Sequence, residues 1–225
     1  MDPEILTGLR WPRDRERIYE IQEEVRRRVR IEALTSLPST IAGVDASFTD
    51  AKIISAACLM SFPGLDCLEE SSAVIESDFP YITGYLSFRE GPAIAKALKG
   101  LKRRPELLIF DGQGIAHPKG LGIAAFMGAL LDMPSIGSAK TRLVGEYVEP
   151  GPRRGDASPL IYKGVEIGAV LRTQDNTRPL FVSPGHRIDI KGAIKIVLES
   201  APRYRLTEPV RRADALSRKI KKEMR

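Results

Sequence analysis

Two aspartates stand in or beside apolar segments of the sequence, where a charge needs compensation. Asp45 lies inside the strand-like run 41–48, and Asp111 follows the apolar run 107–110 and precedes Gly112. Burying an ionised carboxylate without a partner is costly, so each needs a cation or several hydrogen-bond donors. If the two strands are adjacent, a metal between the carboxylates satisfies both. For Asp45 taken alone, an outward position at a strand edge is the simpler alternative.

Other side chains could take part in chemistry beside these aspartates. Glu90 lies where a predicted helix begins, a position at which a glutamate can also serve only as a partner of the helix dipole. Lys140 follows the predicted strand 135–138 and could stabilise charge that develops on a phosphate. His117 and His186 both lie in loops rich in glycine and proline. Either histidine could instead be an ordinary hydrogen-bonding residue of its loop.

The chain contains two histidines and two cysteines, too few ligands for a zinc site. A metal would therefore be held by oxygen atoms, which favours Mg²⁺ or Mn²⁺. Two such ions suit in-line hydrolysis of a phosphodiester, because one activates the attacking water and the other neutralises the leaving oxygen. Cys58 and Cys67 flank the turn-like residues 61–64 and could approach each other across a hairpin. Reduced thiols are nevertheless expected in a cytosolic chain.

The formal net charge of the 225 residues is +6. The positive residues are concentrated at 26–30 and at 211–225. A basic surface is typical of a protein that binds a polyanion, and nucleic acid is the usual one. The C-terminal run could contact the backbone of a duplex, although a solvated helix face is the commoner cause of such a run.

Length and hydropathy limit the class of protein. A chain of this size predicts a single domain, residues 1–225. No apolar run is long enough to cross a bilayer, and the charged N-terminal segment lacks the apolar core of a signal peptide. We therefore expect a cytoplasmic protein without membrane contact. Nothing in the sequence demands a protein partner, so a monomer is expected.

The hydrophobic patterns predict an α/β fold. Residues 12–31 have the spacing of an amphipathic helix, and the three apolar runs that follow have short connections typical of antiparallel hairpins. With the late strands parallel to the first, the order of elements predicts a mixed five-stranded central sheet with helices on both faces. The predicted strands are 40–48, 52–62, 66–76, 106–111 and 135–138; helices are predicted at 90–101, before 131, at 190–200 and from 208 onward; a hairpin at 160–172 and a strand at 179–183 lie between them.

Six stretches of the sequence, in the same order as in the family, resemble endonuclease V, a repair nuclease that acts beside deaminated purines. They are Ala-Gly-Val-Asp-Ala-Ser-Phe at 42–48, Phe-Pro-Tyr-Ile at 79–82, Leu-Ser-Phe-Arg-Glu-Gly-Pro at 86–92, Phe-Asp-Gly-Gln-Gly-Ile-Ala-His-Pro at 110–118, residues 137–143, and Val-Ser-Pro-Gly-His at 182–186. The resemblance implies an RNase H-like fold. It also implies a DNA repair endonuclease that recognises deoxyinosine and hydrolyses the second phosphodiester bond on its 3′ side, leaving 3′-OH and 5′-phosphate ends.

The same resemblance implies the cofactor, the partners and the roles of the residues. Mg²⁺ would be the cofactor, with Mn²⁺ able to replace it, and the partners would be DNA containing deoxyinosine and also RNA containing inosine. Asp45 and Asp111 would be metal ligands, and Glu90 would be a third acidic member of the metal site. The remaining members would be Asp189 as an additional acidic ligand, Lys140 as the group that stabilises the transition state, and His117 close to the reacting phosphate.

Recognition of the lesion would use a wedge and a pocket. The wedge would part the strands, and its tyrosine offers a stacking surface. The pocket would receive the extruded base, and its glycines would give the base room beside backbone donors and acceptors. The residues implied are Pro80, Tyr81, Ile82 and Thr83 for the wedge, and Gly84, Leu86, Gly122 and Ile123 for the pocket. Thr83 and the pair Ala125-Phe126 depart from the residues that the family usually has at these positions.

Two other classes of protein fit parts of the pattern. Another RNase H-like nuclease, of the junction-resolvase or excision-repair type, would share the carboxylates but would not need the wedge. A nucleic-acid-binding protein without catalysis would explain the charge, but it would not explain why Asp45, Glu90, Asp111 and Lys140 occur together.

Overall fold

The computed structural model of the chain describes Trp11 and residues 14–77, 79 and 85–224. Within these residues the helices and strands alternate as an α/β protein requires. In chain order the elements are α1 (Arg15–Arg28), β1 (Thr40–Phe48), β2 (Lys52–Ser61), β3 (Cys67–Glu76), α2 (Leu86–Lys99), β4 (Leu107–Phe110), α3 (Ile123–Leu131), β5 (Ser135–Ala139), β6 (Ala157–Tyr162), β7 (Val165–Leu171), β8 (Leu180–His186), α4 (Ile190–Glu199) and α5 (Glu208–Glu223).

One mixed sheet joins all eight of these strands in the order β3-β2-β1-β4-β5-β8-β7-β6. β1 to β3 pair as antiparallel hairpins, whereas β1, β4 and β5 run parallel to one another, as predicted. The predicted RNase H-like class is confirmed, but the sheet has eight strands and not the five that were predicted. β8 pairs antiparallel with β5, and the β6–β7 hairpin continues the sheet from β8. The local pattern predicted these strands, but the pairing of β8 with β5, which joins them to the sheet, is a contact between distant segments.

Helices cover both faces of the sheet, as predicted. On one face the side chains of α1, α2 and α3 form a buried cluster with alternate residues of β1, including Ala42 and Val44. On the other face α4 and α5 pack against Ile41 and the neighbouring strands. Because successive strand residues point to opposite faces, Asp45 points to the side that α5 covers.

An aromatic cluster fixes the start of α2. The ring of Phe88 lies 5.1 Å from that of Phe126 and 6.0 Å from that of Trp11, centroid to centroid, with edge-on geometry in both pairs. Burial of Phe88 in this cluster extends the helix toward the N-terminus, so α2 begins at Leu86 and not at 90 as predicted. Glu90 therefore lies inside the helix, and the expectation that it opens the helix is wrong.

The approach of α5 to β1 depends on a glycine. A Cβ atom at Gly43 would lie 2.0 Å from the carbonyl carbon of Pro209, in the first turn of α5. This position therefore admits no side chain while the helix stays where it is. The buried residues Val210, Ala213 and Ser217 form the face of α5 that meets the sheet, and the basic residues of the helix lie mostly outside that face.

His186 is a strand residue and not a loop residue as expected. It is the last residue of β8 and is 1% exposed. Its Nδ1 accepts the backbone N–H of Arg30 at 3.2 Å, and its Nε2 lies 3.1 Å from Oδ1 of Asp132. Burial lowers the pKa of His186, and the carboxylate of Asp132 opposes that shift. These contacts give His186 a structural role, the alternative that the sequence left open.

None of the helices in the described part of the chain combines the length and the apolar character that a membrane span requires.

Candidate metal centre

Asp45 is held at the end of β1 that lies under α5. Its Oδ2 accepts the hydroxyl of Ser217 at 2.7 Å, and the hydroxyl of Ser47 donates to the backbone carbonyl of Ser217 at 3.3 Å. Burial raises the pKa of Asp45 to about 6, the hydrogen bond from Ser217 opposes this shift, and the charges of Asp111 and Asp214 add to it. The carboxyl group thus has one donor and an excess of negative neighbours, which a cation would relieve.

Asp111 follows β4, the parallel neighbour of β1. Val44 of β1 pairs with Phe110 of β4, so the next residues along each strand, Asp45 and Asp111, are neighbours at one edge. The ammonium group of Lys140 forms an ion pair with Oδ2 of Asp111. The structure therefore brings together three of the residues that the sequence singled out, at the carboxyl ends of parallel strands where functional groups gather.

Lys140 is placed by a residue that sequence reasoning missed. The guanidinium of Arg205 donates to the backbone carbonyl of Lys140 at 3.0 Å and to that of Pro179 at 2.9 Å, and its Nε donates to the carbonyl of Arg178 at 2.7 Å. Burial lowers the pKa of Arg205, and the charge of Asp111 opposes that shift. Arg205 thus fixes the backbone from which Lys140 reaches Asp111. No sequence pattern marks this role.

Asp214 is the second residue that the sequence did not reveal. One carboxylate oxygen from each of Asp45, Asp111 and Asp214 lies within 4.8 Å of the others. Asp214 stands on the buried side of α5, and its Oδ1 pairs with Nε of Arg218 at 3.0 Å. A signal was present in the sequence, because Asp214 lies next to Ala213 and three residues before Ser217 on the helix stripe that is buried.

Glu90 lies near this group without belonging to its closest set. The pKa of Glu90 is raised to about 8, first by burial of the carboxyl group and then by the charges of Asp45 and Asp111, while the neighbouring Arg89 opposes these effects. The predicted acidic site is thus assembled from β1, β4 and α2, and α5 adds Asp214. Oxygen ligands and an uncompensated negative charge fit a divalent cation of the Mg²⁺ or Mn²⁺ type.

Asp189 is not brought into this group. It is the N-cap of α4, and its Oδ1 accepts the backbone N–H of Gly192 at 2.7 Å. An N-cap carboxylate satisfies a backbone donor that would otherwise lack a partner and opposes the positive end of the helix dipole. Within the described residues, the acidic group that includes Asp45 and Asp111 is completed by Asp214 and not by Asp189.

The glycine loop after Asp111 is packed against the segment predicted to bind the base. The backbone N–H of Gly122 donates to the carbonyl of Gly114 at 2.8 Å. A methyl carbon of Ile123 lies 2.6 Å from the position that a Cβ of Gly112 would occupy. Gly122 and Ile123, at the start of α3, are therefore adjacent to the glycine loop that follows Asp111, while Leu86 at the start of α2 is exposed. Gly84 and the wedge residues Pro80, Tyr81, Ile82 and Thr83 lie outside the described residues.

His117 is held as a neutral ring. Its Nδ1 accepts the backbone N–H of Lys119 at 3.2 Å, so the proton of the neutral ring is on Nε2. Burial lowers the pKa of His117 to about 4, and the charge of Lys119 adds to this effect. The ring is therefore a hydrogen-bond donor through Nε2 at neutral pH and not a cation.

Comparison of the sequence and of the fold with known proteins identifies the same family. The sequence model of the family described as endonuclease V matches residues 23–215. The chain is 47% identical over 203 residues to an endonuclease V of Geotalea uraniireducens, covering 90% of this chain and 87% of the relative. The crystal structure of endonuclease V from Streptomyces avermitilis is similar with a TM-score of 0.91 at 39% identity, over 96% of both chains. That of Ciona intestinalis endonuclease V, in complex with DNA containing an inosine, has a TM-score of 0.79 at 25% identity, over 93% of this chain and 100% of that one.

Carboxylates at the ends of parallel strands in an RNase H-like sheet define the class of the protein, which is a nuclease. Within that class the match spans most of the sequence and nearly all of the fold. The chain belongs to the endonuclease V family, as the six stretches of sequence indicated.

The raised pKa of Glu90 predicts how the stability of the metal-free protein varies with pH. Glu90 binds its proton more tightly in the folded state, so its contribution to stability falls as pH rises from its ordinary pKa of 4.5 to about 8. Glu90→Gln removes this loss, worth about 1.4 kcal/mol for each unit of raised pKa. In EDTA the variant should therefore unfold at a higher temperature than the wild type at pH 8, with the difference shrinking toward pH 4.5.

Glu106→Gln is the control of opposite sign. Hydrogen bonds from the hydroxyl and backbone N–H of Ser39 lower the pKa of Glu106, so its stabilising contribution is present at pH 8 and is lost as pH falls. This variant should be less stable than the wild type at pH 8. A difference between wild type and Glu90→Gln that stays constant with pH would contradict the burial of an ionisable carboxyl group at Glu90.

The placement of Asp214 and Asp189 predicts different effects of removing each carboxylate. A metal that binds the folded state raises the unfolding temperature. Asp214→Asn should abolish most of the rise that Mn²⁺ or Mg²⁺ produces in the wild type, because it removes one of the three converging carboxylates. Asp189→Ala should keep the metal-dependent rise but lower the stability of the metal-free protein by about 1 kcal/mol, the usual cost of losing an N-cap. If Asp189→Ala instead abolished the metal-dependent rise and Asp214→Asn kept it, Asp189 would be a metal ligand.

Proposed function

We propose that the protein is a DNA repair endonuclease that recognises deoxyinosine and hydrolyses the second phosphodiester bond on the 3′ side of the lesion, leaving 3′-OH and 5′-phosphate ends. The observation that carries the proposal is the convergence of Asp45, Asp111 and Asp214, with Glu90 beside them, in a chain of the endonuclease V family. The complex of the Ciona relative with inosine-containing DNA supports the choice of lesion.

The carboxylates of this site would hold Mg²⁺, with Mn²⁺ able to replace it. When bound, the ion supplies Lewis-acid activation of water and neutralises charge on the leaving oxygen. Other side chains of the protein would hold these carboxylates in the required orientation. Ser217 orients Asp45 through one of its oxygens and leaves the other free for a ligand, and the pair with Lys140 fixes the orientation of Asp111. Because burial raises the pKa of Glu90 to about 8, a cation bound beside it would displace a proton at neutral pH, whereas Asp45, with a pKa of about 6, would already be mostly ionised there.

Lys140 and His117 would act on the scissile phosphate. Lys140 is partly exposed beside Asp111, so its ammonium group can also approach a phosphate oxygen and stabilise the charge that develops there. The neutral ring of His117 would donate from Nε2 to an oxygen of the same backbone. A neutral donor orients the phosphate without adding a second positive charge that would compete with the cation.

Recognition of the base would occur at the start of α3. The proposal is supported by the tight packing of Gly122 and Ile123 on the glycine loop that follows Asp111. Leu86 and Gly84 would complete the pocket, and Pro80, Tyr81, Ile82 and Thr83 would form the wedge that parts the strands. Phe126, which departs from the residue usual in the family, is buried in the aromatic cluster with Phe88 and so cannot serve as a substrate contact.

The proposal extends to the assembly and to a second substrate. Residues 1–225 would act as one catalytic domain and as a monomer, because nothing in the sequence demands a protein partner. RNA that contains inosine would be a further substrate, because the pocket would read the base and the carboxylates would act on a phosphodiester common to both nucleic acids.

The decisive experiment uses labelled duplexes with and without one deoxyinosine, incubated with the protein in Mg²⁺. We expect a nick only in the strand with the lesion, one nucleotide beyond the 3′ phosphate of the deoxyinosine. Asp45→Ala should lower the rate by about 10³-fold or more, since it removes several kcal/mol of charge stabilisation, and should leave binding of the duplex measurable. Asp50→Ala, in the exposed β1–β2 turn, is the matched control and should cleave normally.

Equal cutting of both duplexes would reject recognition of deoxyinosine. Binding without any cleavage in Mg²⁺ or Mn²⁺ would instead support a nucleic-acid-binding protein without catalysis.

Tyr81→Ala tests the proposed wedge. Loss of one stacking contact with a base should weaken binding of the inosine duplex about tenfold, in line with about 1–3 kcal/mol for a base stacked on an aromatic ring. Cleavage measured in a single turnover at saturating protein should change much less. An unmodified duplex, bound mainly through its backbone, provides the control and should bind the variant and the wild type equally. Normal binding of the inosine duplex by Tyr81→Ala would show that the wedge assignment is wrong.

A further inference from the structure

Two thiols lie together away from the candidate metal centre. The Sγ atoms of Cys58 in β2 and Cys67 in β3 are 3.7 Å apart. Cys58 is buried and Cys67 is exposed. No step of the proposed nuclease reaction uses either side chain, so their proximity calls for a separate explanation.

The register of the hairpin brings the two sulfur atoms together. Cys58 pairs with Glu70 across the β2–β3 ladder, whereas Cys67 pairs with Met60, and the register shifts between Leu59 and Met60. This irregularity removes the simple face-to-face pairing and lets the two thiols meet diagonally across neighbouring strands. Their separation of 3.7 Å is a direct contact between the two sulfur atoms and is longer than a disulfide bond of about 2.05 Å, so the side chains must move toward each other to form the bond.

We propose that Cys58 and Cys67 are a site of reversible modification, at which a small-molecule disulfide of the glutathione type converts them to an intramolecular disulfide. The thiolate of the exposed Cys67 attacks the oxidant, forms a mixed disulfide and expels one thiolate. Cys58 then gives up its proton and attacks the sulfur of Cys67, releasing the second oxidant half as a thiol. Two S–H bonds are lost, one S–S bond is gained, and the oxidant is reduced to two thiols.

The order of attack follows from exposure. Burial raises the pKa of the Cys58 thiol, and the neighbouring Cys67 and Glu70 raise it further. Cys58 is thus a poor first nucleophile, and the exposed Cys67 meets the oxidant first. Once the mixed disulfide has formed, Cys58 needs only a contact it already has in the folded protein, so the second step is intramolecular.

A metal site is the competing explanation for the same group. Ligand atoms of Cys58, Cys67 and Glu70 lie within 4.8 Å of one another. Structural zinc sites take four ligands, and thiols bind zinc as thiolates. The described residues group three ligands here, one fewer than a structural zinc site takes. The pair therefore fits a disulfide better than a metal site.

The disulfide would link β2 to β3 beneath α5. The charge of Arg212, on α5, acts on Cys58, which places the sulfur pair near that helix. Asp45 pairs with Ala56 of β2, two residues from Cys58, and within the part of the chain that the structure describes the carboxylates of Asp45, Asp111 and Asp214 form a group separate from the two sulfur atoms. We therefore expect oxidation to stabilise the hairpin without changing the carboxylates. The proposal is independent of the proposed nuclease activity.

The experiment treats the full-length protein with oxidised glutathione, blocks remaining thiols with N-ethylmaleimide under denaturing conditions, and measures the intact mass. We expect a monomer that has lost two hydrogen atoms and carries no maleimide. Cleavage before Asp66 separates the two cysteines, so the oxidised protein should yield linked peptides that dithiothreitol releases. Oxidation should raise the unfolding temperature by about 4–8 °C, because the bond closes a short loop in the unfolded chain.

Cys67→Ser is the matched control, since it changes an exposed side chain and leaves Cys58 in place. Its unfolding temperature should not respond to oxidised glutathione. Three outcomes would overturn the proposal: two maleimides on the treated wild type, a glutathione adduct or a disulfide between two copies in place of the linked peptides, or stoichiometric Zn²⁺ that protects both thiols from oxidation.

Discussion

The crowding of like charges is the constraint on which the rest of the structure depends. Carboxylate oxygens of Asp45, Asp111 and Asp214 lie within 4.8 Å of one another, a separation at which partly buried anions repel strongly. The fold offsets part of this repulsion with a donor for each carboxylate: a serine hydroxyl, a lysine ammonium and an arginine guanidinium. Burial raises the pKa of Asp45 and the remaining repulsion from Asp111 and Asp214 adds to this shift, so a bound cation would relieve both effects.

The sheet and α5 together determine where these charges meet. Parallel pairing of β1 with β4 makes Asp45 and Asp111 neighbours at one edge of the sheet. The third carboxylate, that of Asp214, lies on α5. This helix approaches the backbone of β1 closely because Gly43 has no side chain. Structural and chemical requirements thus coincide in the same contact, since Ser217 both packs against β1 and donates to Asp45.

The site residues that could be predicted from the sequence differ physically from those that could not. Asp45 and Asp111 were predicted because a charge within or beside an apolar strand is locally anomalous. Asp214 was not, since an aspartate in a helix with many charged residues resembles a solvated face until the helix is docked. The strands of the hairpin ending at Leu171 were also visible locally, but their joining the central sheet depends on pairing between distant segments. The predicted start of α2 was wrong for the same reason, because contacts of Phe88 with distant aromatic rings extend the helix.

The position of Asp214 long after Asp111 in chain order has a consequence for biosynthesis. Asp45, Glu90 and Asp111 leave the ribosome well before α5 does, and the strands β1 and β4 can pair as soon as they emerge. The group of carboxylates is nevertheless incomplete until α5 has been translated and has docked on β1. A nascent chain therefore holds only part of this carboxylate group until α5 has been made, and the group is complete only after a contact between segments far apart in the sequence has formed.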